Sequence, residues 1–215
     1  MNDNDIYKII SEELLKQNFE FTRYFLDRFT LIYENEKIKI ERIDRDDGEN
    51  IFVYVPIKNE PFYLRFCLNK KQQDIHDVDT EPGVKLFLWQ TSELLSLKEL
   101  VSIDELNPIK TWNLGDKHPR FSDLLMDNSG IKYEPNSEPD SLEDKISLLL
   151  NNIEKSRNVG LFFENEISFN IQCFIDYYYE NQLLGNFILS RGIVKKMMQF
   201  NIEIEFNIAA WGKSF

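Results

Sequence analysis

The period of the hydrophobic pattern changes along this chain, and that change constrains the fold more than any motif does. Residues 5–17 place Ile6, Ile9, Ile10 and Leu14 on one helical face, with Glu12, Glu13 and Lys16 turned away from it. From Phe19 to Leu68 the period becomes two. Phe29, Leu31 and Tyr33 alternate with polar or variable neighbours, and Ile38 and Ile40 alternate with Lys37, Lys39 and Glu41. The runs 51–57 and 62–68 continue the pattern with many aromatics. A helix brings residues three and four apart onto one face, whereas a strand brings every second residue there, so one element cannot satisfy both patterns. The spacing predicts one helix followed by an antiparallel β-meander over residues 1–69, with turns at Glu34-Asn35-Glu36 and Asp46-Asp47-Gly48. The stretch 19–28 fits helix and strand templates equally.

Residues 70–83, KKQQDIHDVDTEPG, are polar and poor in apolar positions, which predicts a linker. Beyond it the two periods interleave. Val84, Leu86 and Leu88 alternate as a strand. Ser96-Leu97-Lys98-Glu99 is a capping-box pattern opening a helix to about Leu106, and Asn107-Pro108 ends it. A short strand follows at 131–134. Ser141 caps a helix whose stripe is Leu142, Ile146, Leu149, Leu150 and Ile153. Ile167, Phe169, Ile171, Cys173 and Ile175 form one face of a long strand. Ser190 caps a third helix with Ile193, Met197 and Phe200 inside. Ile202, Ile204, Phe206 and Ile208 then alternate with Glu203, Glu205 and Asn207. Residues 84–215 therefore read β-α-β-α-β-α-β. The fold class expected is α+β, with a ferredoxin-like layer of helices on one four-stranded sheet.

Charge and composition exclude several functions. The net charge is −12, which argues against nucleic acid as a partner and against an anionic membrane surface, and suits a basic protein partner. Cys67 and Cys173 lie in apolar runs and form no Cys-x-x-Cys pair, as free thiols in a reducing compartment would. The opening MNDNDIYK lacks a cationic start and an apolar signal core, and no apolar run approaches the roughly 18–20 residues of a membrane span, so a cytoplasmic protein is expected. No cofactor is expected: the 8 glycines do not cluster, so neither a phosphate loop nor a dinucleotide fingerprint is present. No metal is expected either. Counting from Asp44, Gly48 is fifth and Val55 twelfth, which misses the calcium-loop pattern, and His76, His118, Cys67 and Cys173 are scattered.

The stretch IKTWNLGDKHPR, residues 109–120, gathers a Trp, a Gly-Asp pair and one of the two histidines. Asp116 and His118 are spaced for acid–base exchange, yet no nucleophile or third orienting group stands nearby, and no catalytic residue is assigned. The simpler reading is a turn, with Gly115 at positive φ, Asp116 capping its own backbone and Trp112 anchoring the bend. The binding residues expected are Trp112, Gly115 and Asp116, together with Tyr177, Tyr178 and Tyr179, because three adjacent strand-end tyrosines suit a protein interface.

The order of signals carries a resemblance. A strand and a short helix lead to a Pro-Thr-x-x-Trp-x-x-Gly-Asp pattern, matched by Pro108, Lys110, Thr111, Trp112, Asn113, Leu114, Gly115 and Asp116, with Ile109 at the threonine position. Gly130–Glu134 follows as a strand in which the family usually has a Trp. A Ser-Leu-Glu-led helix matches Ser141–Ile153, and a closing helix and alternating strand match 186–210. By these features residues 84–211 resemble an uncharacterised bacterial family, the domain of unknown function numbered 4279. Residues 1–68 are similar to the opening of several immunity-type proteins of polymorphic toxin systems. The resemblance implies a place in variable bacterial gene neighbourhoods that include toxins and their immunity proteins, and implies no activity. The function expected is a non-catalytic, immunity-like binding protein that occludes a basic, toxin-like protein partner. The alternative is a small-molecule-binding or enzymatic domain with a pocket near Trp112, Asp116 and His118, and a concave site joining those three side chains would favour it.

Overall fold

In the computed structural model, which describes residues 1–103, 106–121, 123–155, 167–178 and 187–212, internal contacts divide the chain into two units. Unit 1 holds Met1–Gly83 and the described parts of the later stretches 175–184 and 208–215. Unit 2 holds Val84–Phe174 and the described part of 185–207.

Unit 1 begins with α1 (Asp3–Lys16), started by a reciprocal cap in which Asp5 N–H donates to Asn2 Oδ1 at 3.0 Å and Asn2 N–H to Asp5 Oδ2 at 3.2 Å. Ile6 and Ile10 are buried on its inner face. Glu13 is buried too, and its carboxylate accepts from the backbone N–H groups of Asn18 and Phe19. That carboxylate ties down the chain just ahead of α2 (Glu20–Leu26), so the ambiguous stretch is helical and directs Phe25 inward. A tight hairpin joins β1 (Tyr33–Glu34) to β2 (Lys37–Ile38) through Asn35 and Glu36, both at positive φ. Four antiparallel strands follow in the order β3-β4-β5-β6: β3 (Arg42–Asp44), β4 (Asn50–Pro56), β5 (Tyr63–Asn69) and β6 (Ile75–Glu81).

Strand β6 corrects the linker expected over 70–83. An edge strand needs few apolar positions, and this one buries only Val78 and Thr80. Its acidic residues face Arg65 across the ladder, in the register Arg65↔Asp79. Polarity marked a strand edge here, not a gap between domains. The boundary also differs at the C-terminal side, because residues 175–178 and 208–212, expected in the second domain, belong to unit 1.

In unit 2 the element order is β7 (Gly83–Ser92), α3 (Leu97–Ile103), β8 (Lys110–Trp112), β9 (Ser129–Tyr133), α4 (Leu142–Lys155), β10 (Ser168–Tyr178), α5 (Arg191–Gln199) and β11 (Ile202–Trp211). The first and the last two strands run into stretches of unit 1. The sheet order is β11-β10-β7-β9-β8. The α+β class stands, but the sheet has five strands where four were expected. The fifth, β8, comes from the stretch read as a bend: Lys110, Thr111 and Trp112 pair with Lys132, Ile131 and Gly130.

The helix caps fall where the sequence puts them. Glu99 N–H reaches Ser96 Oγ, Asp144 N–H reaches Ser141 Oγ at 3.1 Å, and Ile193 N–H reaches Ser190 Oγ. The α4 stripe Leu142, Ile146, Leu149, Leu150 and Ile153 is buried, as are Leu86, Leu88, Ile131, Ile171 and Cys173 on the sheet. Lys145 on α4 is wholly buried, and its ammonium donates to Asn136 O, Asn136 Oδ1 and Glu138 O at 2.7–3.2 Å. Three acceptors meet the three N–H groups of a lysine, which is what makes its burial tolerable. The edge strand β11 was expected to bury its alternate apolar residues, but Phe206 and Ile208 are exposed at 41% and 52%.

Candidate functional site

Residues directly opposite one another in adjacent strands point to the same face of a sheet. The registers Trp89↔Lys132↔Lys110 and Thr91↔Gly130↔Trp112 therefore set six side-chain positions on one face of the unit 2 sheet. This is the face opposite Leu88 and Gln90, which are buried. Gly130 decides how it is built. A Cβ at that position would stand 2.1 Å from the Trp112 ring, so only glycine lets the indole lie across the strand. Laid flat in this way, Trp112 comes within 5.4 Å of Trp89, ring centre to ring centre. Trp112 Nε1 donates to Asn128 Oδ1 at 2.9 Å, which fixes the ring. Trp89 Nε1 is buried with no hydrogen-bond partner among the described residues.

The chain from Asn113 to Met126 folds beside this pair. Asp116 Oδ2 accepts from Asn113 N–H at 2.7 Å, Gly115 takes φ +84°, and Gly115 N–H donates to Met126 O. Lys117 bridges to Leu125, and His118 N–H donates to Leu124 O. The backbone N–H groups of Arg120 and Phe121 both point at His118 Nδ1, at 3.2 and 3.3 Å, which leaves the imidazole proton on Nε2. The His118 ring then stacks on Phe121 at 5.0 Å.

Together these parts enclose a hollow of about 530 Å³. Trp89 and Trp112 belong to its wall with Phe121, Gln172, Asp116 and His118, and Lys110, Lys117 and Arg120 stand around it. Its volume is that of a small-ligand site. Among the described residues none of those three cations is in an ion pair, and Asp116 has already given one oxygen to the turn. Lys132, between the two strand neighbours of the hollow, holds its ammonium 3.5 Å from the centre of the Phe87 ring and 5.2 Å from that of Trp89. Burial, with Lys110 adding to it, lowers the Lys132 pKa below the ordinary lysine value against the pull of Glu134.

The sequence-expected residues divide clearly. Trp112, Gly115 and Asp116 fall on one loop and its strand, and Trp112, Asp116 and His118 line one hollow. The tyrosines do not join them. Tyr178 is a correction: only 2% exposed, it packs in unit 1 on Phe25, Phe29 and Phe62, with ring centres 5.4–6.2 Å apart. The alternation that buries Phe169, Ile171, Cys173 and Ile175 would have turned Tyr177 inward, but it breaks there, and Tyr178 is buried by the rings of unit 1 instead. Tyr177 is half-buried, and Tyr179 lies outside the described residues. The sequence reading missed Trp89 and Lys110, because both were taken as ordinary strand or loop positions. Only the pairing of β8 with β9 reveals that they share a face. Among the described residues no group of three or more His, Cys, Asp or Glu is placed to hold a metal ion, and no helix is long and apolar enough to cross a membrane.

The fold and site define a class: an α+β domain whose sheet is buried on one face and carries an aromatic, cation-rimmed hollow on the other. Residues 82–211, more than half of the 215, match the family described as Domain of unknown function (DUF4279), and the chain belongs to that family. No curated protein and no solved structure gives a match.

Proposed function

We propose that this chain is a non-catalytic binding protein of the bacterial cytoplasm, and that unit 2 recognises its ligand in the hollow beside Trp112. One observation carries the reading: Trp112, Asp116 and His118, singled out from the sequence as a possible pocket, line a single cavity of about 530 Å³. The polar groups that would be asked to do chemistry are engaged in shaping the loop. Asp116 holds the Asn113 N–H, and His118 Nδ1 holds two further N–H groups. Such contacts fix the walls that binding needs, and among the described residues no hydrogen bond joins Asp116 to His118 as an acid–base pair.

The test follows the indole N–H resonances of the three tryptophans while a mixed set of aromatic and aliphatic fragments is titrated in. Trp89 and Trp112 should shift together, and Trp211, which donates to Asp176, should stay in place. A set that moves neither Trp89 nor Trp112 rejects the reading.

A second reading rests on the net charge of −12: immunity-like occlusion of a basic protein through the acidic surface. Co-purification with a toxin encoded beside the gene, and protection of cells from that toxin, measure it. Absence of both ends it.

A further inference from the structure

The geometry points to a planar aromatic ring carrying an anionic group, phosphate or carboxylate, as the ligand of this hollow, an inference that rests on the binding role proposed above. Two independent features choose the two halves of such a molecule. The flat half is chosen by Trp89 and Trp112, 5.4 Å apart and tilted 55° to one another, with Phe121 at the rim. Aromatic walls of this kind hold flat rings by stacking, with little demand on the ring's edge. Gly130 is what keeps the Trp112 face in place, since any side chain there would lift the indole.

The anionic half is chosen by charge. Lys110, Lys117 and Arg120 line the hollow in a protein of net charge −12, and among the described residues they form no ion pair. Some cations elsewhere hold carboxylates: Lys39 has Glu34 and Glu41, Arg65 has Asp79 and Glu81, and Lys196 has Glu154; others, Lys85 and Lys98 among them, stand singly on the surface. Carboxylates outnumber Lys and Arg by 37 to 25, so the gathering of three cations around one hollow is a local concentration of positive charge that a bound anion would complete. The one carboxylate in the wall, Asp116, is partly committed to Asn113 N–H, which weakens its competition for those cations. Volume agrees: about 530 Å³ accommodates a nucleoside monophosphate or a substituted aromatic acid and is small for a folded peptide.

The experiment is isothermal titration calorimetry on the full chain with four probes: adenosine 5′-monophosphate, adenosine, inorganic phosphate and 4-hydroxybenzoate. The expected result is that at least one ring-bearing anion binds about tenfold or more tightly than adenosine and than phosphate alone, since a hydrogen-bonded charge and a stacked ring each contribute on that scale. The phosphate and carboxylate arms tell which source supplies the charge, and success in either supports the inference. Lys110→Gln, at an exposed site, should weaken that probe about tenfold, and so should Arg120→Gln, with adenosine unaffected. Trp112→Phe keeps an aromatic in the buried position and should cost less. Adenosine binding at least as tightly as both ring-bearing anions, or phosphate alone binding at least as tightly as both, overturns the ligand class. In the first case the hollow remains a binding site, as fragment-induced shifts of Trp89 and Trp112 would show. If those shifts are also absent, the binding role itself fails.

Discussion

The two sheets treat charge in opposite ways. On the outer face of the unit 1 sheet Arg65 is held in a fork: Nε donates to Asp79 Oδ1 at 2.8 Å, Nη2 to Asp79 Oδ2 at 2.5 Å, and Nη1 to Glu81 Oε2 at 2.6 Å. Arg42 similarly meets Asp44. Burial works against the Arg65 charge, yet the hydrogen bond with Asp79 and the charges of Glu81 and Asp79 raise its pKa. On the open face of the unit 2 sheet Lys110 has no ion-pair partner among the described residues, and beside it Lys132 lies over the Phe87 ring, where burial, opposed by Glu134 and helped by Lys110, lowers its pKa. A face whose charges are satisfied internally has nothing to offer an ion. A face whose charges are left over does. That contrast, more than the shape of either sheet, locates the candidate site.

The comparison breaks most readily at the core of unit 1. Tyr178→Ala removes a ring that touches three others, Phe25, Phe29 and Phe62, and should cost about 3–5 kcal/mol in urea unfolding. Phe121→Ala, at an exposed ring beside the hollow, should stay within about 0.5 kcal/mol. If Tyr178→Ala costs less than about 1 kcal/mol, the tyrosine is not the core residue described, and its reading as an interface residue returns.

Tyr178 also shows how far the sequence was legible. Periodicity placed the helical stripe Leu142 to Ile153 and the inner face Phe169 to Ile175 correctly, because both are local consequences of element geometry. The caps at Asn2 and Ser96 are also local, although the first was not foreseen. Three features were not local. Strand β6 hid because an edge strand exposes one rim and needs little apolar surface. Strand β8 hid because three residues carry no period of their own and become a strand only through β9. Lys145 hid because burying an ammonium depends on two carbonyls and an amide supplied from residues 136 and 138. The candidate site was half legible: the Trp112–His118 segment stood out by composition, while Trp89 and Lys110 entered only through cross-strand register.

A smaller effect sharpens the charge contrast directly. Arg65→Met leaves Asp79 and Glu81 near one another with no cation, and should destabilise by about 1–3 kcal/mol. Lys110→Met removes a cation that has no partner among the described residues and should change stability by about 0.5 kcal/mol or less, in either direction. Salt should separate them as well. Raising sodium chloride to 1 M should soften the Arg65→Met penalty, because screening relieves the repulsion between the two carboxylates. Equal penalties for the two substitutions at low salt would mean that Lys110 is engaged after all.

The smallest effect comes from the thiols, one on each sheet. Burial pushes Cys67 up to about 11, with Arg65 opposing and Asp77 and Asp79 adding, and pushes Cys173 up to about 12, with Lys145 opposing. Both start from an ordinary value of 9.0, so between 9 and those upper limits the folded chain holds protons that the unfolded chain has released. Each thiol's contribution is complete below pH 9 and is lost as pH rises. At pH 10 the loss should be about 1 kcal/mol for each, measured as the difference in pH slope between the parent chain and Cys67→Ala or Cys173→Ala. The Cys67 difference should flatten near pH 11 and that of Cys173 near 12. The distinction matters because Cys67 sits on the charged outer face of its sheet and Cys173 under α4, beside the buried Lys145. If the Cys173 difference shows no loss between pH 9 and 10, the Lys145 ammonium offsets burial at that thiol.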